Sequence, residues 1–150
     1  MAKVSIEIIQ KLRDATGAGV MACKKVFAET KGDFDKAVAL IKERGLVKVE
    51  QKADRSTGSG LLETYLHNGR VGVMLELRCE TDFVARSDVF KKLSHELIMQ
   101  IAAMEPADVD ALFSQPYIKD EKIIVGDLVK DAIARVGENI QVKRFCRYEL

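Results

Sequence analysis

The first part of the chain carries apolar residues at the spacing of short amphipathic helices. One apolar stripe extends to Leu12, and a Thr-Gly-Ala-Gly sequence then interrupts it. Two further stripes follow, the last of them after Asp33, whose side chain suits a helix N-cap. Gly45 is expected to end this third helix. The pattern therefore predicts a three-helix bundle over residues 1–45.

A polar segment separates this bundle from the rest of the chain. Residues 46–60 are rich in charged side chains and end in Ser-Thr-Gly-Ser-Gly, a composition typical of flexible linkers. The sequence therefore predicts three parts: an N-terminal domain over 1–45, a linker over 46–60 and a core domain over 61–150.

The core domain begins with a predicted β-hairpin. Residues 61–67 form one candidate strand, and residues 71–79 alternate apolar and polar positions with the period of two of a half-buried strand. Asn68 and Gly69 lie between the two candidate strands, and both residue types tolerate the positive φ of a tight turn. We therefore expect an antiparallel pair closed by this turn.

The remainder of the core domain is predicted to be mainly helical. Apolar residues recur at helical spacing over 89–104, and Pro106 prevents simple continuation of that helix. Residues 107–138 are expected to be mostly helical with a break at Pro116, and residues 140–148 form a last strand. The predicted class is α+β, with the three-helix bundle followed by a small antiparallel sheet with packed helices.

Composition and charge restrict the function. Lys and Arg number 24 and Asp and Glu 23, so a net charge of +1 gives no strong attraction to nucleic acid or a membrane surface. No apolar run approaches the roughly 20 residues of a membrane-spanning helix, and residues 1–10 resemble neither a secretory signal nor an Arg-rich transit peptide. We therefore expect a cytoplasmic protein, with an organelle matrix after processing as the alternative. Three widely spaced cysteines make no disulfide framework, and Cys23 and Cys79 are expected to be buried.

Candidate catalytic and metal-binding residues do not form a set. His67 and His95 lack a neighbouring ligand at metal-binding spacing. Residues 17–22 match G-x-G-x-x-G/A, but a helical pattern precedes them instead of a buried strand, so the glycines are expected to turn the chain between helices. Glu80 and Asp82 lack a partner base or nucleophile. The sequence predicts no catalytic residue, no metal and no cofactor.

The junction between the best-patterned strand and the longest helix carries unusual residues. Thr81 or Asp82 suits a helix N-cap, since a side-chain oxygen there accepts a free backbone N–H. Phe83 lies one turn before the main apolar stripe. It either packs into the core, as Phe often does, or serves as a binding residue on a rigid corner.

This junction resembles the signature of the elongation factor Ts family, whose last residue is usually Lys where this chain has Arg. The signature residues are Thr81, Asp82, Phe83, Val84, Ala85 and Arg86. Residues 12–25 resemble a second family stretch, except that Ala22 stands where Asp is common, and residues 137–144 resemble a third. The three matches occur in the family's order and span nearly the whole chain.

The resemblance implies a guanine nucleotide exchange factor, without enzyme activity, that binds elongation factor Tu with GDP. The bundle would be a ubiquitin-associated-like domain that docks on the partner's nucleotide-binding domain through Leu12, Val20 and Met21. Phe83, helped by Asp82, would insert between helices of that domain and disturb the Mg²⁺ and phosphate site. All six signature residues are then partner-binding candidates.

The resemblance also bears on assembly. The chain is similar to short family members that lack the second core half and the coiled coil and that pair as homodimers. In a monomer the predicted strand 140–148 would be an unpaired edge, and pairing two copies would remove that liability. Cys146 lies on this strand and is a predicted dimer contact, with an intermolecular disulfide left open.

Three alternatives belong to other classes. Three-helix bundles of this kind also occur in ubiquitin-binding adaptors. RNA binding would use a set of basic residues, although the near-zero net charge argues against it. An enzyme would need a catalytic set that the sequence lacks. The basic residues are Lys24, Lys25, Lys143, Arg144 and Arg147.

Overall fold

A computed structural model describes residues 5–150, so the first four residues of the predicted N-terminal domain lie outside the described part. The chain divides into two compact units, Met1–Gln51 and Lys52–Leu150. Helices make up the described part of the first unit, whereas the second combines helices with two small antiparallel sheets. This architecture confirms the predicted α+β class.

The N-terminal unit is a bundle of α1 (Ile6–Thr16), α2 (Val20–Glu29) and α3 (Phe34–Glu50), as predicted. Asp33 caps α3, because its side chain accepts a hydrogen bond from the backbone N of Lys36 at 3.0 Å. The apolar stripes of the three helices meet in a common core. Its buried members are Ile9, Leu12, Cys23, Val26, Phe27 and Ala37.

The predicted end of the third helix at Gly45 is wrong, because α3 continues to Glu50. A glycine ends a helix when it adopts a left-handed conformation, and Gly45 does not have a positive φ. Glycine inside a helix costs about 1 kcal/mol relative to alanine, which the neighbouring helix-forming residues offset. The expected 46–60 linker is therefore helical at its start, and its last two residues belong to a strand.

The second unit contains the remaining elements. They are, in chain order, β1 (Ser59–His67), β2 (Val71–Cys79), α4 (Asp82–Ala85), α5 (Asp88–Met104), α6 (Val109–Ser114), β3 (Pro116–Tyr117), β4 (Asp120–Ile124), α7 (Val125–Val136) and β5 (Ile140–Glu149). The predicted hairpin, the predicted long helix and the predicted last strand are all present.

The main sheet has the antiparallel order β1-β2-β5, with β2 in the centre. Asn68 and Gly69 turn the chain between β1 and β2 with φ of 51° and 66°, as the Asn-Gly signal predicts. β5 pairs with β2 along its whole length, from Ile140 opposite Cys79 to Glu149 opposite Val71. The expectation of an unpaired last strand is therefore wrong for one side of β5, although its other side forms a sheet edge.

The prediction of mostly helix over 107–138 is wrong at β3 and β4. These two short strands pair with each other, and side chains of α5 form hydrogen bonds to β3 and to the turn after it. Gln100 of α5 donates to the Pro116 carbonyl at 3.1 Å and accepts from the Ile118 backbone N at 2.9 Å. Tyr117 also donates from its hydroxyl to Glu96 of α5. Hydrogen bonds from a distant helix thus favour strand geometry where the local sequence shows no alternation.

One face of the main sheet forms the core of the second unit. α5 packs on β1 and β2, while α7 packs on α5 and β5. Leu75, Leu77 and Cys79 of β2 are completely buried, as the alternation of residues 71–79 predicts. Cys23 of the first unit is completely buried as well, which confirms that expectation for both cysteines.

The opposite face of the sheet carries a charged cluster centred on Glu76. Its carboxylate accepts hydrogen bonds from Nε of Arg78 and from Nε of Arg144, each at 2.6 Å. Arg144 lies opposite Glu76 on β5, so the interaction is a cross-strand pair. Hydrogen bonds from Arg144 and then Arg78 lower the pKa of Glu76 below its ordinary value.

Gly60→Ala is expected to destabilise the second unit by at least about 1 kcal/mol. A Cβ at Gly60, whose φ is 155°, would overlap the Leu77 carbonyl oxygen of the paired strand. Urea unfolding followed by tyrosine fluorescence measures this unit selectively, because all three tyrosines belong to it. Gly58→Ala is the matched control, since a Cβ there meets no atom within 4 Å. Equal unfolding midpoints for the two variants would contradict the prediction.

Glu76 is expected to stabilise the fold at neutral pH and to lose this effect in acid. Because its pKa is lower in the folded state, stability is present above the ordinary carboxyl pKa and is lost as the pH falls through the lowered value. Glu76→Gln should therefore reduce unfolding free energy at pH 7 and flatten its decline towards roughly pH 3. Glu121→Gln, at an exposed position on β4, is the control. An unchanged pH profile in Glu76→Gln would refute the assignment.

Candidate partner-binding site

The corner between β2 and α5 is a single helical turn with its own cap. Thr81 has extended backbone angles, and its hydroxyl oxygen accepts from the Val84 backbone N at 3.4 Å, which confirms Thr81 as an N-cap. Asp82 is instead the first helical residue of α4. Ser87 caps α5 immediately afterwards by accepting from the Phe90 backbone N at 3.3 Å. Two adjacent caps therefore define the backbone path through the corner.

Phe83 points away from the core of the second unit. Its side chain is 85% exposed, whereas the next two residues of α4, Val84 and Ala85, are buried. The interpretation of Phe83 as a core residue is therefore wrong. Val84 and Ala85 hold the helical turn on the domain, so they cannot contact a partner without a rearrangement of the corner.

Charged side chains flank the exposed phenylalanine. Asp82 Oδ2 and Arg86 Nη2 are 3.9 Å apart, and both side chains are largely exposed. Such a surface pair is worth at most about 1 kcal/mol, so either charge can exchange its partner at low cost. Beside the corner, Asp82 shares the lining of an open cleft with Arg78 and Arg144. The corner thus combines one large apolar side chain with a polar surround.

A distant part of the chain is attached to the base of this corner. Glu138, between α7 and β5, accepts hydrogen bonds at Oε2 from the backbone N of Glu80 at 3.2 Å and of Thr81 at 3.0 Å. Its Oε1 accepts from the Thr81 hydroxyl at 2.7 Å. The sequence suggests a motif at residues 137–144 but no role for Glu138, because 57 residues separate it from Thr81 and no local pattern reports the contact.

Cys79 supports the same corner from the core. Its thiol donates to the Thr81 carbonyl at 3.2 Å. Burial, with the negative charge of Glu138 and Asp82 nearby, raises the pKa of the Cys79 thiol. A neutral, buried thiol is a poor nucleophile, so Cys79 is a structural residue of the corner.

The N-terminal unit presents only two of its three predicted partner-binding residues. Met21 is 76% exposed, and Val20 is also exposed, both at the start of α2. Leu12 has 0% exposure inside the bundle core, so its side chain is not available to a partner. Gly17 ends α1 in a left-handed conformation, and the glycines turn the chain between two helices as expected.

Cys146 is exposed on β5. Two of the candidate RNA-binding residues are engaged in ion pairs: Arg144 with Glu76, and Arg147 with Glu149, each at 2.6 Å.

Within residues 5–150, no three His, Cys, Asp or Glu side chains lie together as metal ligands. None of the helices over that same range has the length and apolar character needed to cross a membrane.

Comparison with known proteins identifies relatives across the chain. The profile of the family described as Elongation factor TS matches residues 80–150, which include the corner and Glu138. A protein named Elongation factor Ts from Nostoc sp. is 44% identical over 151 residues, covering 100% of this chain and 48% of the relative. Relatives of the same name from Thermotoga neapolitana and Oleidesulfovibrio alaskensis are each 39% identical and are covered over 98% and 99% of their lengths.

The relatives differ from this chain in length. The chain spans about half the length of the Nostoc protein. Its alignment with the Thermotoga protein extends over 192 residues, which exceeds the 150 residues here by 42, so at least that many aligned positions have no counterpart in this chain. Identity of 39% over 98% of a relative nevertheless establishes common descent along the whole chain. This chain belongs to the elongation factor Ts family.

Proposed function

We propose that this chain is a guanine nucleotide exchange factor of translation elongation. It binds elongation factor Tu with GDP and promotes GDP release by disturbing the partner's Mg²⁺ and phosphate site. Family membership supports the role in elongation. The observation that carries the exchange mechanism is the 85% exposure of Phe83 on a capped helical turn.

Phe83 suits the role of a wedge because its backbone is held while its ring is free. Binding costs free energy when loops and side chains must be ordered, and preorganisation reduces that cost. Buried Val84 and Ala85 anchor the turn, and the caps at Thr81 and Ser87 fix its ends. A phenyl ring on such a turn can bury a large apolar area in a partner with the loss of few rotamers.

Asp82 and Arg86 form the polar border of the wedge. Their exposed pair, at 3.9 Å, can separate so that each group meets a partner group of opposite charge. Energetically dominant residues at interfaces are commonly central aromatic side chains with a surround that excludes water. Thr81, Asp82 and Arg86 provide this surround, while Val84 and Ala85 support it from inside.

The exchange mechanism needs no contact with the nucleotide. The chain must bind the nucleotide-free partner more tightly than the GDP-bound partner. Linkage then requires that this chain lowers the partner's affinity for GDP by the same factor by which GDP lowers the partner's affinity for this chain. Displacement of Mg²⁺ removes a large positive charge from the diphosphate, which is why a distortion at the metal site suffices. No catalytic residue and no cofactor of this chain takes part.

The N-terminal unit contributes a second contact in this proposal. It acts as a ubiquitin-associated-like domain whose exposed Val20 and Met21 dock on the nucleotide-binding domain of elongation factor Tu. Both side chains lie on the first turn of α2. Leu12 supports them indirectly, because it belongs to the same buried cluster as Cys23 of α2.

Phe83→Ala is expected to lower exchange efficiency by about 30-fold or more, the effect of losing a dominant interface residue. Elongation factor Tu loaded with a fluorescent GDP analogue is chased with excess GDP, and release is followed with and without this protein. Met104→Ala, at an exposed apolar position on α5, is the control. Circular dichroism should show the same fold for both variants. Full activity in Phe83→Ala would refute the wedge, and no acceleration by the unaltered protein would refute the exchange function.

We also propose that the chain forms a homodimer in the cytoplasm through the open face of the main sheet. Leu66, Met74 and Tyr148 are large apolar residues exposed on this face. Cys146 lies opposite Met74 in the strand register, within the same surface. A contiguous apolar surface of this kind commonly marks a protein interface, and the free side of β5 lies next to it.

Leu66→Lys is expected to convert a dimer into a monomer, because it places a charge within the apolar surface. Light scattering after size-exclusion chromatography in reducing buffer measures the mass. Ile124→Lys is the matched control, since Ile124 is exposed on β4 and not on the main sheet. A monomeric unaltered protein at micromolar concentration would contradict the proposal. A dimer only without reductant, abolished by Cys146→Ser, would instead assign assembly to a disulfide.

A further inference from the structure

The Glu138 carboxylate makes three hydrogen bonds to the two residues that lead into α4. Two come from the backbone N atoms of Glu80 and Thr81, at 3.2 and 3.0 Å, and one from the Thr81 hydroxyl at 2.7 Å. Bonds to an ionised acceptor are stronger than neutral ones. One side chain therefore determines the position of the residues that precede Asp82 and Phe83.

These bonds also orient the cap of α4. A hydroxyl group has one hydrogen, and Thr81 gives this hydrogen to Glu138. The hydroxyl oxygen then directs a lone pair to the backbone N of Val84, 3.4 Å away. Glu138, Thr81 and Val84 thus form a chain of hydrogen bonds that ends beside Phe83. Loss of Glu138 would leave the Thr81 hydroxyl free to rotate away from the cap.

Hydrogen bonds between residues 80–81 and residues 138–139 run in both directions. Glu80 accepts a hydrogen bond at Oε1 from the Asn139 backbone N at 2.7 Å. Asn139 is buried, and its amide donates to the carbonyls of Ala53 at 3.2 Å and Arg55 at 2.9 Å. Asn139 therefore holds its neighbour Glu138 in place, while Glu80 holds Asn139.

We infer that Glu138 is a positioning residue for the proposed exchange activity, acting on a partner through Phe83. The inference rests on the proposed function. Without the bonds to Glu138, the turn that carries Phe83 would have to become ordered when it binds the partner. The free-energy cost of that ordering would weaken binding. Glu138 orders the turn in the free protein and thereby holds the backbone from which the exposed ring projects.

The first test is a double-mutant cycle in the GDP-release assay. Glu138→Ala should lower kcat/KM for exchange by about tenfold, as expected for lost hydrogen bonds to a charged group. In a Phe83→Ala background the same change should have almost no further effect, because Glu138 acts through Phe83. Melting temperature should instead fall equally in both backgrounds. An equal loss of exchange in both backgrounds would overturn the inference.

Asp131→Ala is the matched control for this cycle. Asp131 pairs with Arg135 at 2.7 Å on α7, so its removal deletes a nearby carboxylate without touching the corner. Exchange should be unchanged. If Glu138→Ala fails to fold, Glu138→Gln replaces it, because glutamine keeps the side-chain length, removes the charge and replaces one accepting oxygen by a donor. Full exchange activity in a folded Glu138→Gln would then refute the inference.

The second test needs no partner. The chain has no tryptophan, so Phe83→Trp introduces a single reporter at the wedge position. Time-resolved anisotropy of this tryptophan should show faster local motion when Glu138→Ala is added, and no change with Asp131→Ala. Unchanged local motion would overturn the inference even if exchange is confirmed. Failure of the unaltered protein to accelerate GDP release would refute the proposed function, while this measurement would still decide whether Glu138 holds residue 83.

Discussion

Burial of the inner face of β2 against α5 is the interaction on which the second unit depends. Leu75, Leu77 and Cys79 are completely buried there, at roughly 1.5–3 kcal/mol for each large apolar side chain. β2 is also the central strand, so its position determines those of β1 and β5. Because only eight residues separate the end of β2 from the start of α5, the short connection between them must lie at the edge of this buried layer.

The corner divides its tasks between buried and exposed residues. Apolar burial of Val84 and Ala85 attaches the turn to the domain, and directional hydrogen bonds from Thr81 and Ser87 define its ends. Neither task requires Phe83, whose exposed ring adds nothing to the stability of the isolated chain. A large exposed apolar side chain on a turn this well attached is the arrangement expected of a residue retained for binding.

Local signals in the sequence predict the elements with strong periodicity and miss those held by distant contacts. Local sequence alone predicts three features: the strand from the alternation of residues 71–79, the turn from Asn-Gly, and α5 from its apolar stripe. β3 and β4 have two and five residues, and Gln100 and Glu96 of α5 hold β3 and the turn after it, so no local pattern could reveal these strands.

The candidate site shows the same division. The resemblance identifies the residues of the corner, but only the three-dimensional structure separates exposed Phe83 from buried Val84 and Ala85. Leu12 is a similar case, since an apolar residue in a matching motif serves either the core or a partner surface, and here its burial assigns it to the core. Glu138 escaped prediction because its contacts join segments 57 residues apart.

Local electrostatics determine what kind of partner contact the corner can make. Asp82 and Arg86 cancel each other next to Phe83, and Glu76 is paired with Arg78 and Arg144 beside the same cleft. A nearly neutral surface gives little long-range attraction, so recognition there depends on shape and on the burial of the phenyl ring. Short-range recognition of this kind discriminates between two conformations of a partner, since a ring fits a cleft only when the cleft is open. Under the proposed function, Phe83 therefore responds to the partner's conformation more than to its charge.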